Sequence, residues 1–87
     1  MSRGAILVVE KDAFYSSFYK KLLSREGYTV TLAESVEEGL RLYRERPYEV
    51  VISDMVLGGQ EGLALLQAVK SAAPRQDVVL ITSMQSL

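Results

Sequence analysis

The sequence contains no cysteine and no histidine. Without cysteine, disulfides and thiolate metal sites are excluded. Without histidine, the commonest general base and metal ligand is gone too. Long hydrophobic runs are also missing. Runs such as Ala5–Val9, Val50–Ile52 and Val78–Ile81 fall far short of the roughly 20 residues that a membrane span needs. Neither sign of charge is in excess, and a net charge of −1 argues against a general nucleic-acid or anionic-membrane surface. The N-terminus carries one basic residue, Arg3, and its apolar run meets Glu10-Lys11-Asp12 at once, unlike a signal peptide. A cytoplasmic location is the default expectation. What is present is a composition 48% apolar and 24% charged, too apolar for disorder and, at 87 residues, sufficient for one small domain.

Ala5–Val9 is a continuous apolar run bounded by Gly4 and by charge, the mark of a strand buried on both faces. Asp12 is the N-cap of a helix over Ala13–Glu26, with Phe14, Phe18, Leu22 and Leu23 at helical spacing and Gly27 at C′. Phe14 and Phe18 are expected in the core. Tyr15 and Tyr19 form a second stripe, either a partner surface or the boundary of the core. Tyr28–Leu32 alternates as a strand. Ser35 with Glu38 forms a capping box that opens a helix over Val36–Glu45, with Val36, Leu40 and Tyr43 inward, and Pro47 stops it. Tyr48–Ser53 is a third strand and Asp54–Gly59 a loop. Glu61–Ala73 is a third helix, with Leu63, Leu66, Val69 and Lys70 at helical spacing, and Val78–Ile81 is a fourth buried strand. The order β-α-β-α-β-α-β implies a parallel sheet with helices on both faces, a three-layer α/β architecture.

In such sheets, ligands bind beyond the carboxyl ends of the strands. Glu10-Lys11-Asp12 follows the first strand, Ser53-Asp54 ends the third, and Thr82-Ser83 follows the fourth. If those strands are neighbours, three polar clusters meet at one rim. Asp54 is one of three aspartates in the chain. It reads either as a turn residue or as a nucleophile that accepts a phosphoryl group. The second role needs a cation, for which acids after the first strand are available, and donors such as the Thr82 hydroxyl.

Four segments, Ile6-Leu7-Val8-Val9-Glu10, Val51-Ile52-Ser53-Asp54-Met55-Val56-Leu57, Glu61-Gly62-Leu63 and Leu80-Ile81-Thr82-Ser83, together resemble the receiver domain of bacterial two-component response regulators. Arg3-Gly4 and the Asp54 segment are most similar to receivers of nitrogen-regulator-type transcriptional activators. The resemblance implies a flavodoxin-like doubly wound sheet in the order 2-1-3-4, lacking the family's fifth strand and last helix, so that residues 1–87 form one C-terminally truncated receiver-like domain. It assigns Asp54 as phosphoacceptor and Thr82 as the hydroxyl that meets the phosphoryl group. For Mg²⁺ it assigns Glu10, Asp54 and the carbonyl of Val56.

Three departures accompany the resemblance. Lys11 stands where the second acid is expected; it reads either as a solvated surface lysine or as a cation in the metal's place that could pair with Asp54 and weaken Mg²⁺ binding, with Asp12 as a partial substitute. Gly58 replaces the usual proline. The family's invariant lysine and aromatic switch residue lie in the absent fifth strand.

The resemblance implies a signalling module rather than an enzyme. A histidine kinase would phosphorylate it, and its output, such as transcription regulation, would lie in a downstream domain or protein. The alternative is a degenerate receiver acting as a phosphorylation-independent interaction module. A dehalogenase-type phosphohydrolase would need a second aspartate at position 56, which is Val56. With the fourth strand at a sheet edge, Val78–Ile81 is expected either to pair with a strand of another chain, as in a homodimer, or to be completed by a longer chain that supplies the missing part.

Overall fold

The computed structural model describes residues 3–54 and 61–81; Val56 and Thr82 lie outside the described residues, as do Gly58 and most of the loop that contains it. Seven elements alternate: β1 (Ala5–Val9), α1 (Ala13–Arg25), β2 (Thr29–Ala33), α2 (Val36–Tyr43), β3 (Val50–Asp54), α3 (Glu61–Ala72) and β4 (Asp77–Ile81). The strands form one sheet in the order β2-β1-β3-β4, and every pairing is parallel. The architecture is the α/β, flavodoxin-like arrangement expected from the sequence, with β4 at an edge.

The helix boundaries follow from local chemistry. The Asp12 carboxylate accepts from the Phe14 N–H at 2.8 Å and caps α1. At the other end Gly27, at φ +96°, donates to Ser24 O, and Tyr28 N donates to Leu23 O. This is a Schellman motif, which needs a left-handed residue at C′. In α2 the Ser35 hydroxyl accepts from Glu38 N at 3.1 Å. The Glu38 carboxylate reaches back to Glu34 N rather than to the cap residue itself, a variant of the expected box.

Strand parity divides the side chains between two layers. Leu7, Val9, Ala33 and Val51 point one way and pack with Tyr48, Leu65 and Val69, while Val36, Leu40 and Tyr43 of α2 close the cluster. Gly39 is required here, because a Cβ would lie 2.8 Å from Val9 Cγ2. In α3 the buried residues are Gly62, Leu65 and Val69, whereas Leu63 is 45% exposed, so the inward stripe is shifted from the expected one. Lys70 does not enter the core; its Nζ donates to Pro74 O and Gln76 O, fastening the turn into β4.

The opposite layer holds α1, which packs over β2 and β1. Its half-buried positions are Ser16, Tyr19 and Leu23, spaced i, i+3, i+7. Phe14 and Phe18, expected in the core, are 75% and 53% exposed. They lie one step around the helix from that stripe, and no described element covers them. For the same reason β4, read from its apolar run as a buried strand, is only partly covered, and Val79 is 47% exposed. No helix among the described residues is long and apolar enough to cross a membrane.

Candidate functional site

Parallel register brings the strand ends together. Val9 lies opposite Ser53, so the next residues, Glu10 and Asp54, follow side by side at the C-terminal rim. Ile81, the last residue of β4, lies opposite Asp54, so β4 ends at the same rim. Glu10 is fixed by its backbone, whose N–H donates to Ala33 O at 2.9 Å and extends the β1–β2 ladder by one step. The side chain is only 5% exposed, an unusual state for a carboxylate. Its Oε2 accepts from the Asp12 N–H at 3.1 Å.

The two carboxyls interact directly. Burial pushes the Glu10 carboxyl above its ordinary value; the Asp12 N–H opposes this, while the charge of Asp54 and a hydrogen bond with it add to the rise, as does the charge of Asp12. Two acids this close repel, and a neighbouring cation or donor relieves the repulsion. That is the chemistry of a hard-cation site. Mg²⁺ commonly takes one or two carboxylates and completes its shell with water and phosphate oxygens.

Glu10 and Asp54 therefore fit such an ion. Asp12 does not join them, because its Oδ1 is engaged at the start of α1 and its side chain is exposed. Among the described residues no group of three metal-binding side chains is assembled. Lys11 is exposed and takes part in no ion pair among the described residues, whose ion pairs join Arg41 to Glu38 and Glu45. Successive side chains alternate along an extended chain, and Lys11 is one residue past the inward Glu10. The roles expected for Val56 and Thr82 fall outside the described residues.

A residue given no role at this rim by its sequence, Tyr19, also belongs to these surroundings. It is half-buried on the sheet-facing stripe of α1, while its companion Tyr15 is 39% exposed. Burial raises the phenol above its ordinary value, and the charges of Glu10, then Asp54, then Tyr15 add to the rise. The signal was the i, i+3, i+7 spacing of Ser16, Tyr19 and Leu23, which the aromatic i, i+4 pattern masked.

The model of the response regulator receiver domain family matches residues 6–87. The chain is 32% identical over its whole length to the transcriptional regulatory protein YkoG of Bacillus subtilis, covering 38% of that protein. It is 31% identical over its whole length to the DNA-binding transcriptional regulator NtrC of Escherichia coli, covering 19% of it. The chain thus spans well under half the length of these relatives. Among solved structures, the response regulator TrrA of Thermotoga maritima in complex with Mg²⁺ and BeF superposes with a TM-score of 0.87 at 28% identity, covering 99% of this chain and 73% of that one.

Proposed function

The chain belongs to the response regulator receiver domain family, nitrogen-regulator-type proteins being among its relatives, and from that membership we propose that it is a phosphoacceptor module phosphorylated on Asp54 by a partner histidine kinase. Receiver domains are signalling modules, not typical enzymes, and generally bind Mg²⁺. The observation that carries the proposal is the register that sets Glu10 and Asp54 side by side at the C-terminal rim of two parallel neighbours.

In the reaction, a carboxylate oxygen of Asp54 attacks the phosphorus of a phosphohistidine. The new P–O bond makes an acyl phosphate, the P–N bond breaks, and the imidazole nitrogen takes up a proton. Glu10 and Asp54, with the carbonyl of Val56, would hold Mg²⁺, which screens the phosphoryl charge when bound. The Thr82 hydroxyl would donate to a phosphoryl oxygen. The added charge then shifts a two-state equilibrium that an output domain or partner reads, in the cytoplasm. The exposed edge of β4 would pair with a second chain.

Lys11 favours one rival, a degenerate receiver that binds partners without phosphorylation, because a third acid is not assembled beside Glu10 and Asp54 among the described residues. Acetyl phosphate with Mg²⁺ separates the readings. A phosphoacceptor gains 80 Da, lost in Asp54→Asn; an unmodified chain that also fails to bind beryllofluoride overturns the proposal.

A further inference from the structure

We propose that the N-terminal end of the sheet, opposite the acid rim, is a docking surface for an acidic segment of a partner protein. Parallel strands joined by helices put every strand start, and the C-terminal end of every helix, at that end. The charges of the chain are sorted along this axis. Glu10, Asp12, Glu34, Glu37, Glu38 and Asp54 lie at the acid rim with one cation, Lys11. The other nine of the ten cationic residues lie in the second halves of the helices or in the segments that lead into strands, against four acids, Glu26, Glu45, Glu49 and Asp77. The net charge of −1 thus hides a formal excess of five positive charges at one end.

Local stability accounts for little of this excess. A helix C-terminus carries roughly half a negative charge, so three helices call for about 1.5 compensating charges. Arg41 is taken up by Glu45 and Glu38, and Lys70 by the Pro74 and Gln76 carbonyls. Seven exposed cations remain, and they take part in no ion pair among the described residues. On α1, which contains no acid, Lys21 and Arg25 stand four residues apart, and like charges at that spacing destabilise a helix. Arg3 joins them: its N–H donates to Gly27 O at 2.8 Å, and its side chain lies over that glycine at the end of α1. Arg44 and Arg75 extend the surface to the α2–α3 layer.

The two ends act separately. A five-residue strand is about 16 Å long and screening at physiological salt acts over about 8 Å, so a partner meets the local charge and not the net charge. Carboxylates suit this end better than a nucleic-acid backbone does. Helix C-termini present carbonyls, which repel phosphates, whereas phosphate sites offer helix N-termini. The four acids set among the cations make a mixed pattern, which fits a protein segment with a charge pattern of its own better than a uniform polyphosphate. The surface lies away from Asp54, so a partner bound there leaves the acid rim open, and the inference does not rest on the phosphoacceptor reading.

The test is the binding of a fluorescein-labelled deca-glutamate peptide to the 87-residue chain, followed by anisotropy at low and at physiological ionic strength. Binding should be tightest at low ionic strength, and the amide shifts it causes should gather at Arg3, Lys21, Arg25 and Arg75. Arg25→Glu should weaken it about fivefold, the effect of reversing one exposed charge, whereas Lys11→Glu, the same change in net charge at the other end, should leave it in place. No binding at low ionic strength, or equal losses in the two variants, overturns the proposal. Tighter binding of a DNA duplex than of the peptide would give the surface to nucleic acid and overturn the assignment of an acidic protein segment. If the chain binds the peptide but takes no phosphoryl group from acetyl phosphate, the phosphoacceptor reading fails and the basic docking surface stands.

Discussion

The two faces of the sheet are built from the same strands and do different work. On the α2–α3 side, Leu7, Val9, Ala33, Val51, Leu65 and Val69 are each completely buried. On the α1 side, Phe14, Phe18, Leu22 and Val79 are each 44% or more exposed, and the acids emerge at the rim of this face. The two-residue period of a strand makes the separation possible, because neighbouring residues serve opposite layers. More of the completely buried side chains lie in the first layer, with Ile6 and Val8 buried in the second, and the acids and most of the uncovered large apolar side chains lie in the second.

Substitutions on each side should break this division in opposite ways. The largest effect is expected for Asp54→Asn, which should abolish acetyl-phosphate labelling in a mass measurement and leave the thermal transition nearly in place. Leu65→Ala should do the reverse. Deleting a fully buried leucine costs about 2–5 kcal/mol, a large part of the total stability of a small domain, and chemical denaturation would register it. A smaller loss, or one matched by Phe18→Ala, would mean that the two layers carry comparable weight.

Lys11→Asp sharpens the comparison at the rim. If Lys11 is what distinguishes this acid site from a fully acidic one, the substitution should tighten Mg²⁺ binding about tenfold, about 1.4 kcal/mol, in a titration followed by amide shifts. Equal affinities would assign the charge of Lys11 to solvent alone, in keeping with its exposure.

A smaller effect follows from Glu10 itself. Its carboxyl binds a proton more tightly in the folded chain than at its ordinary value of 4.5. Between those two values the folded state holds more protons, so stability falls as pH rises through that interval and then levels off. Glu10→Gln should remove this decline. In Mg²⁺-free buffer the variant should be the more stable protein at neutral pH, with the advantage shrinking as pH approaches 4.5. A parallel pH dependence in both proteins would detach the shift from Glu10.

The backbone plan was legible because its signals are local. The apolar runs of β1 and β3, the Asp12 and Ser35 caps and the Gly27 stop each act within a few residues, and they fix element order and parallel pairing. Helix orientation was less legible. In α1 several stripes, Phe14–Phe18, Tyr15–Tyr19 and Ser16–Tyr19–Leu23, satisfy helical spacing, and which one turns inward depends on the sheet rather than on the helix. The same ambiguity shifted the inward stripe of α3 from Leu63 to Leu65. At the site, Glu10 and Asp54 were legible from strand ends, whereas the half-burial of Tyr19 on α1 was not.

The smallest expected effect tests the uncovered layer most directly. Phe14→Ser removes a ring that is 75% exposed, so stability should change by no more than about 0.5 kcal/mol. Its consequence should lie between molecules instead. Phe14, Phe18 and Val79 lie on the α1 side of the sheet, β4 is the outer strand among the described residues, and an edge strand beside apolar surface promotes pairing with another chain. If β4 pairs with a second copy, light scattering should show concentration-dependent association for the wild-type chain and weaker association for Phe14→Ser. A well-folded wild-type monomer at all concentrations would mean that this edge and face do not recruit a second copy, and the contrast between the layers would then be one of packing alone.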